Sequence, residues 1–256
     1  MLSNTLTSAL AALSAATAVQ ATQLFHNTGT TTGWDEFTHE NEGTVAQVTN
    51  VVYKGSSALK MTQTFTPGYT GRYHSEAVKD NVYKRGDTGY YGFAFRLQED
   101  WEFDPAQEFN LGQFIADFTS LGCSETFMPS TMVWIVGDQL NTRVKTGQPC
   151  PTTSQITKEW KNLATVTAGE WHRVELQVNW QSDDTGSFKM WYDGDVVTET
   201  TGIPTTVGQD TAFQMRVGLY ANGWHDSGYV GNQPFRQVWY DQIAAGSEMA
   251  DADPAA

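Results

Sequence analysis

Apolar and polar residues alternate in short runs along this chain, and almost nothing else in it is periodic. "TVAQVTNVVY" and "SALKMTQTF" alternate, and "GYYGFAFRL", "FNLGQFIADF", "TMVWIVGD", "WHRVELQVNW", "FKMWYDGDVV", "FQMRVGLYA" and "RQVWYDQIAAG" follow. A period of two sends successive side chains to opposite faces of a β-strand, whereas a helix repeats every ~3.6 residues. Gly, Asn, Asp and Pro separate the runs, and "YDGD" between "FKMW" and "VVTE" is a hairpin turn signal. Thirteen Phe, nine Trp and ten Tyr suit the pleated, half-buried surface of a sheet. The pattern predicts an all-β chain, a β-jelly roll made of two antiparallel sheets with a concave groove, as one domain over residues 22–256.

Residues 1–21 read as a secretory signal peptide. An uncharged, Ala-rich run from Leu6 to Val19 leads to the small-x-small site Val19-Gln20-Ala21, so the mature chain would begin near Thr22. The other reading is an Ala-rich helix of the folded protein. No stretch is apolar for long enough to cross a bilayer, so no membrane partner is expected. With 15 basic and 29 acidic residues the net charge is −14, which argues against nucleic acid as a partner. Cys123 and Cys150 are the only cysteines, and in a secreted chain an isolated pair is most simply a disulfide. No CxxC, His/Cys cluster or HExxH supports a zinc site.

Three strands share an unusual property. In "TGRYHSEAV", Arg72, His74 and Glu76 take one face and Tyr73, Ser75 and Ala77 the other. In "FNLGQFIADF", Phe114, Ala116 and Phe118 face one way, and Gln113, Ile115 and Asp117 the other. In "FQMRVGLYANGW", Phe213, Met215, Val217 and Leu219 form the core side, opposite Gln214, Arg216, Gly218, Tyr220 and Asn222. An ordinary wet face favours Lys, Glu, Thr and Ser. These faces carry Arg, His, Gln, Tyr and Asn, and Gly218 leaves room for a ligand to approach the backbone. Side by side, the strands would floor a cleft around Arg72, His74, Gln113, Arg216, Tyr220 and Asn222. Despite the −14 total, that cleft is expected to be locally positive if it admits a polyanion.

Glycoside hydrolysis needs two carboxyl groups flanking the bond. The Glu-x-Asp-x-Glu strand of jelly-roll glucanases is absent, and Glu76 with Asp117 is the one pairing considered across strands. The Arg/His/Gln/Tyr set suits β-elimination from a uronate better. Arg, Gln or a protonated His can stabilise the carboxylate as charge builds on it. His can take the C5 proton, and a Tyr whose pKa is lowered by a nearby Arg can serve as acid or base. A non-catalytic carbohydrate-binding protein on the same fold is the reading from another class.

The segments "YTGRYHSEAVKDNVYKRGDTGYYGFAFRL", "QFIADF", "MVWI", "NLATVTAGEWHRV", "MRVGLYANGWHD" and "RQVWYDQIAAGSEMADADP" together resemble the glucuronan lyases, polysaccharide lyase family 20, from about Gly33 to Pro254. Similarity to the family 7 alginate lyases is looser, since Gln113 is followed by Phe114 and Ile115 where those enzymes carry a His. His74 on the first strand would take that His's place. The resemblance implies secretion and endo-cleavage of β-1,4-linked polyglucuronic acid, an anionic polysaccharide, by a monomer without an organic cofactor. It implies that Tyr220, His74 and Gln113 are catalytic and that Arg72, Arg216, Asn222, Trp224 and His225 bind substrate. Trp224 would stack on a sugar or cover the core edge. A structural calcium ion is also implied, with Glu40 near Gly43 and Asp241 as the expected ligands. His172 reads as half-buried packing, and His26 and His39 are given no role.

Overall fold

The computed structural model describes residues 22–123 and 125–256. The signal-peptide reading lies outside these residues. Fifteen strands run in the order β1 (Gln23–Asn27), β2 (Glu36–His39), β3 (Thr44–Val48), β4 (Ala58–Thr64), β5 (His74–Lys84), β6 (Thr88–Leu97), β7 (Glu108–Asp117) and β8 (Phe127–Val136). Then follow β9 (Gln139–Gly147), β10 (Gln155–Trp160), β11 (Trp171–Asn179), β12 (Ser187–Tyr192), β13 (Asp195–Thr201), β14 (Ala212–Tyr220) and β15 (Phe235–Gly246). Two short helices, α1 (Asn222–Asp226) and α2 (Met249–Ala252), complete the described chain. No helix among these residues is long and apolar enough to cross a membrane.

The strands form two antiparallel sheets. The outer sheet runs β13-β12-β11-β6-β15-β4-β3, with β1 also paired to β15. The groove sheet runs β10-β9-β8-β7-β14-β5-β2. This is the jelly-roll sandwich expected from the alternation. The hairpin at "YDGD" joins β12 to β13, with Asp193 (φ 53°) and Gly194 (φ 93°) both in the left-handed conformation such two-residue turns require.

Between the sheets lies an aromatic core. Tyr83 stacks on Trp180 at 3.6 Å and on Phe213 at 4.5 Å. Their polar tips are satisfied: the Tyr83 hydroxyl meets Ser130, and the Trp180 indole donates to the Tyr91 hydroxyl at 2.8 Å. Phe114, Phe213, Met215, Val217 and Leu219 are all buried, as their alternation predicted. Tyr240 reaches from β15 across the sandwich, its hydroxyl 2.9 Å from the Leu111 carbonyl and 2.7 Å from that of Gly218. It thereby ties the outer sheet to the backbone of β7 and β14 beneath the polar face.

The sequence pattern missed β1, β2, β9 and β10. Strand β9, "QLNTRVKTG", alternates, with Leu140 and Val144 in the core. Its alternate positions, Gln139, Asn141, Arg143 and Lys145, are all polar, so no apolar run marks the strand. "TGRYHSEAV" begins its strand only at His74. Arg72 lies ahead of it, held through its backbone N–H by Glu40 at 2.7 Å.

Cys123 and Cys150 are joined by a disulfide with Cα atoms 5.8 Å apart. It closes a loop of 27 positions, a constraint worth about 3.5 kcal/mol in the chain-entropy treatment. Replacing both cysteines by serine should lower the unfolding free energy by about that amount in urea titrations. A loss below about 1 kcal/mol would contradict this account.

Candidate active site

A groove of about 900 Å³ crosses the seven-stranded sheet. Its floor comes from β5, β14 and β7, which are direct neighbours, and its walls from β2, β8, β9 and α1. The expected adjacency of the three polar faces is therefore present. Register sets the details: Tyr220 lies opposite His74 and Asn110, Gly218 opposite Glu76, and Arg216 opposite Gln113.

His74 and Tyr220 meet edge to face, ring centroids 5.8 Å apart. The Arg72 guanidinium donates through Nη1 to the Tyr220 hydroxyl at 2.9 Å and to Asp226 Oδ1 at 2.8 Å. Burial of the phenol outweighs Arg72, so the Tyr220 pKa is pushed up to about 12. This reverses the expectation that Arg72 lowers it. Tyr220 rests as a neutral proton donor. Arg72 leaves its hydrogen free and stands ready to compensate the phenolate once the proton departs.

His74 is oriented by Glu40. Its Nε2 lies 2.9 Å from Glu40 Oε1, while Glu40 Oε2 accepts from the Tyr69 hydroxyl at 2.8 Å and the Arg72 N–H at 2.7 Å. Burial works against the Glu40 charge, yet the donors from Tyr69, His74 and Arg72 together hold its pKa below the ordinary glutamate range. An ionised Glu40 keeps the proton of the neutral imidazole on Nε2 and leaves the lone pair on Nδ1. The nearest groups to Nδ1 are Thr38 Oγ1 at 3.4 Å and Glu76 Oε2 at 3.7 Å.

Glu76 is 2% exposed and sits at the centre of the floor. Gln113 Nε2 donates to its Oε1 at 2.6 Å, and Arg216 Nη1 lies 3.6 Å from its Oε2. One amide hydrogen of Gln113 is committed there, and the second remains for a ligand. Arg216 is also fixed by Gln214 Oε1, at 3.0 and 2.7 Å.

The remaining expectations fare unequally. Asn222 lines the groove, its amide donating to Glu108. Trp224 faces the core: its indole donates to Gln107 at 3.1 Å and its ring packs on Tyr73 and Phe109. It covers the core edge and stacks on no sugar. His225 is exposed on α1, bonded to Asp226 and outside the groove lining. Asp117 caps the turn at Thr119 and does not pair with Glu76, which removes the carboxylate pair considered for hydrolysis. At Gly218 a Cβ would stand 2.2 Å from the Ser75 carbonyl and 2.6 Å from the Glu76 Cα. The missing side chain makes room for β5 and not for a ligand.

The groove is not positive. Its lining holds four cations, Arg72, Arg143, Lys145 and Arg216, against six carboxylates, Glu36, Glu40, Glu76, Glu108, Glu125 and Asp226. Arg72, His74 and Arg216 each face a carboxylate of the protein. Arg143 and Lys145 were missed because β9 was. Glu40, a calcium ligand by the resemblance, orients His74 instead.

The residues present do not fit the implied calcium site. Glu40 and Gly43 belong to one turn, bonded through Gly43 N to Glu40 O, beside Gln63 at the far end of β4. Asp241 lies past the Tyr240–Leu59 pair, at the other end of β4, roughly 16 Å along the strand. Its oxygens accept from the N–H groups of Tyr53, Lys54 and Gln242. Such donors shape a carboxylate pocket and not a cation shell. Among the described residues no cluster of three or more His, Cys, Asp or Glu is poised to hold a metal.

A family model described as polysaccharide lyase matches residues 26–244. The chain belongs to this polysaccharide lyase family. It is 55% identical to the crystal structure of an endo-β-1,4-glucuronan lyase from the fungus Trichoderma reesei, over 91% of this chain and 99% of that one, with a TM-score of 0.88. The fold alone is shared with the marine PL-14 alginate lyase from Aplysia kurodai, at 9% identity and a TM-score of 0.56 over 88% of this chain and 99% of that one. It is shared likewise with a cellulose-induced protein, at 16% identity and a TM-score of 0.52 over 88% of this chain and 97% of that one. No curated protein matches the chain in sequence.

Glu40→Gln should keep the fold and lower kcat by at least about 10-fold with a smaller change in KM, because a His deprived of its orienting carboxylate loses the productive tautomer. Normal turnover in a folded Glu40→Gln variant would show that His74 needs no such partner.

Proposed function

We propose that this chain is a secreted, monomeric endo-lyase that cleaves β-1,4-linked polyglucuronate by β-elimination. The observation that carries the reading is the His74–Tyr220 pair on one groove face, with Arg72 on the phenol and Glu40 on the imidazole. In a β-linked glucuronate the C5 proton and the C4 oxygen lie on the same side of the ring. Base and acid must then come from one side, as neighbouring strands of one sheet supply them. The similarity to the fungal glucuronan lyase supports polyglucuronate as the substrate. The disulfide supports an oxidising compartment.

His74 Nδ1 takes the C5 proton. The electron pair left at C5 forms the C4–C5 double bond, and the C4–O bond breaks. Tyr220 gives its phenolic proton to the departing oxygen, while Arg72 offsets the phenolate. The uronate carboxylate lies on the free N–H of Gln113 with Arg216 close behind, where negative charge grows before the bond breaks. His74 then loses its proton to water and Tyr220 regains one. The product carries an unsaturated uronate at its new non-reducing end.

Polyglucuronate incubated with the protein should develop the ultraviolet absorbance of a conjugated double bond. Tyr220→Phe should lower kcat by about 10² or more with much less effect on KM. Absence of absorbance with polyglucuronate would overturn the reading, and binding without turnover would favour the carbohydrate-binding alternative.

The pH profile separates the two roles open to Tyr220. As a donor with a pKa near 12, it stays protonated across the working range. Turnover should then show no loss from Tyr220 ionisation up to about pH 10, where an unperturbed tyrosine would be half ionised. A rate that instead climbs tenfold per pH unit from 8 to 10 would identify the phenolate as the base.

A further inference from the structure

The groove does not end at Gln113. A second hollow of about 310 Å³ adjoins it, lined by Trp134, Asn141, Lys161 and Asn162 among others. Glu108, Met132 and Arg143 line both hollows, so the two form one trough, with Arg143 at the junction. Trp134 and Asn141 are buried in its floor, the Asn141 amide tied to the Gln139 carbonyl and the Asn162 N–H, so the polar groups it turns outward are chiefly Arg143, Lys161 and Asn162.

Register places Arg143 in a cross-strand row with the catalytic floor. Arg216 lies opposite Gln113, Gln113 opposite Met132, and Met132 opposite Arg143. Gln113 and Arg143 are thus two strand spacings apart, roughly 10 Å. Three of the groove cations have a carboxylate within 4.0 Å: Arg72 has Asp226, Arg216 has Glu76 and Lys145 has Glu125. Arg143 has none among the described residues, and its Nε is buried without a hydrogen-bond partner. Burial works against its charge, offset by the more distant Glu159, Glu108 and Glu125. A guanidinium left unpaired in a substrate trough is a vacant bidentate receptor for a carboxylate.

An extended β-1,4-linked chain turns over at each sugar, so the carboxylates of alternate residues emerge on the same side. A polymer crossing the strands with one carboxylate at Gln113 brings the next same-side carboxylate about two strand spacings away. We propose that Arg143 is the carboxylate receptor of a distal subsite, which grips a second uronate one disaccharide from the cleavage centre and gives the enzyme its preference for polymer. This rests on the lyase reading above.

The test compares Arg143→Gln, Arg143→Lys and wild type on polyglucuronate and on the shortest oligoglucuronate that is cleaved. A lost charged hydrogen bond corresponds to about 10- to 100-fold in affinity. With Arg143→Gln, the KM for polymer should rise by that factor more than the KM for the short substrate, and kcat should fall much less than KM rises. Arg143→Lys should recover part of the loss, and the salt dependence of kcat/KM on polymer should be shallower in Arg143→Gln. Equal losses on both substrates, or a polymer KM within twofold of wild type, would overturn the proposal. Calorimetric titration of polyglucuronate into Tyr220→Phe and into the Tyr220→Phe, Arg143→Gln double variant reads the subsite without turnover. The double variant should bind at least about 10-fold more weakly, and equal affinities would overturn the subsite even if the lyase reading stood. A wild-type protein that binds polyglucuronate through Arg143 yet never cleaves it would sink the lyase reading and leave the subsite.

Discussion

A carboxylate buried under the groove floor dictates the layout of this site. Removing an ion from water costs several kcal/mol unless hydrogen bonds and opposite charge replace the solvent. Glu76, 2% exposed, is compensated by Gln113 at 2.6 Å and Arg216 at 3.6 Å. These are the groups proposed to meet the uronate. Each is held in place by what Glu76 needs, so the floor is organised before substrate arrives. Glu76 reaches this position because Gly218, directly opposite on β14, has no side chain to hold β5 away. Tyr240 braces the same backbone from the other sheet.

Above this floor two proton-transfer groups are tuned in opposite ways. Tyr220 is kept neutral by burial, and the Arg72 guanidinium makes its loss of a proton tolerable only at the moment of transfer. His74 is aimed by an ionised Glu40, whose charge is kept by donors from three residues. The asymmetry assigns one group to give and the other to take, a separation of roles that two identical environments would not produce.

Six carboxylates against four cations is an unlikely lining for a polyanion's path, if formal charge alone mattered. Most of those carboxylates are already engaged: Glu40 with His74, Glu76 with Gln113, Asp226 with Arg72, Glu125 with Lys145 and Glu108 with Asn222. What a substrate carboxylate senses is the set of donors left over, chiefly the second N–H of Gln113 and the guanidinium of Arg143. Paired charges cancel within a few ångströms, so the count of formal charges does not by itself describe what a bound carboxylate meets.

The period of two in "TGRYHSEAV", "FNLGQFIADF" and "FQMRVGLYANGW" determined by itself which side chains share a face, since that depends only on local backbone geometry. It sufficed for the sandwich, for the buried Phe213–Leu219 row and for His74, Gln113, Arg216 and Tyr220 on a common polar side. The motifs carried the family. Strand β9 was illegible because its outward positions are polar and its inward ones few, and Arg143 and Lys145 went with it. Only the tertiary structure decided that β5, β14 and β7 are neighbours, since pairing is settled by strands far apart in sequence. It alone brought Glu40 from a turn before β3 onto His74, turned Trp224 into the core and filled the gap at Gly218 with Glu76. It also set the Tyr220 proton against Arg72, because a pKa answers to burial and neighbours in space, and neither is written in the order of residues along the chain.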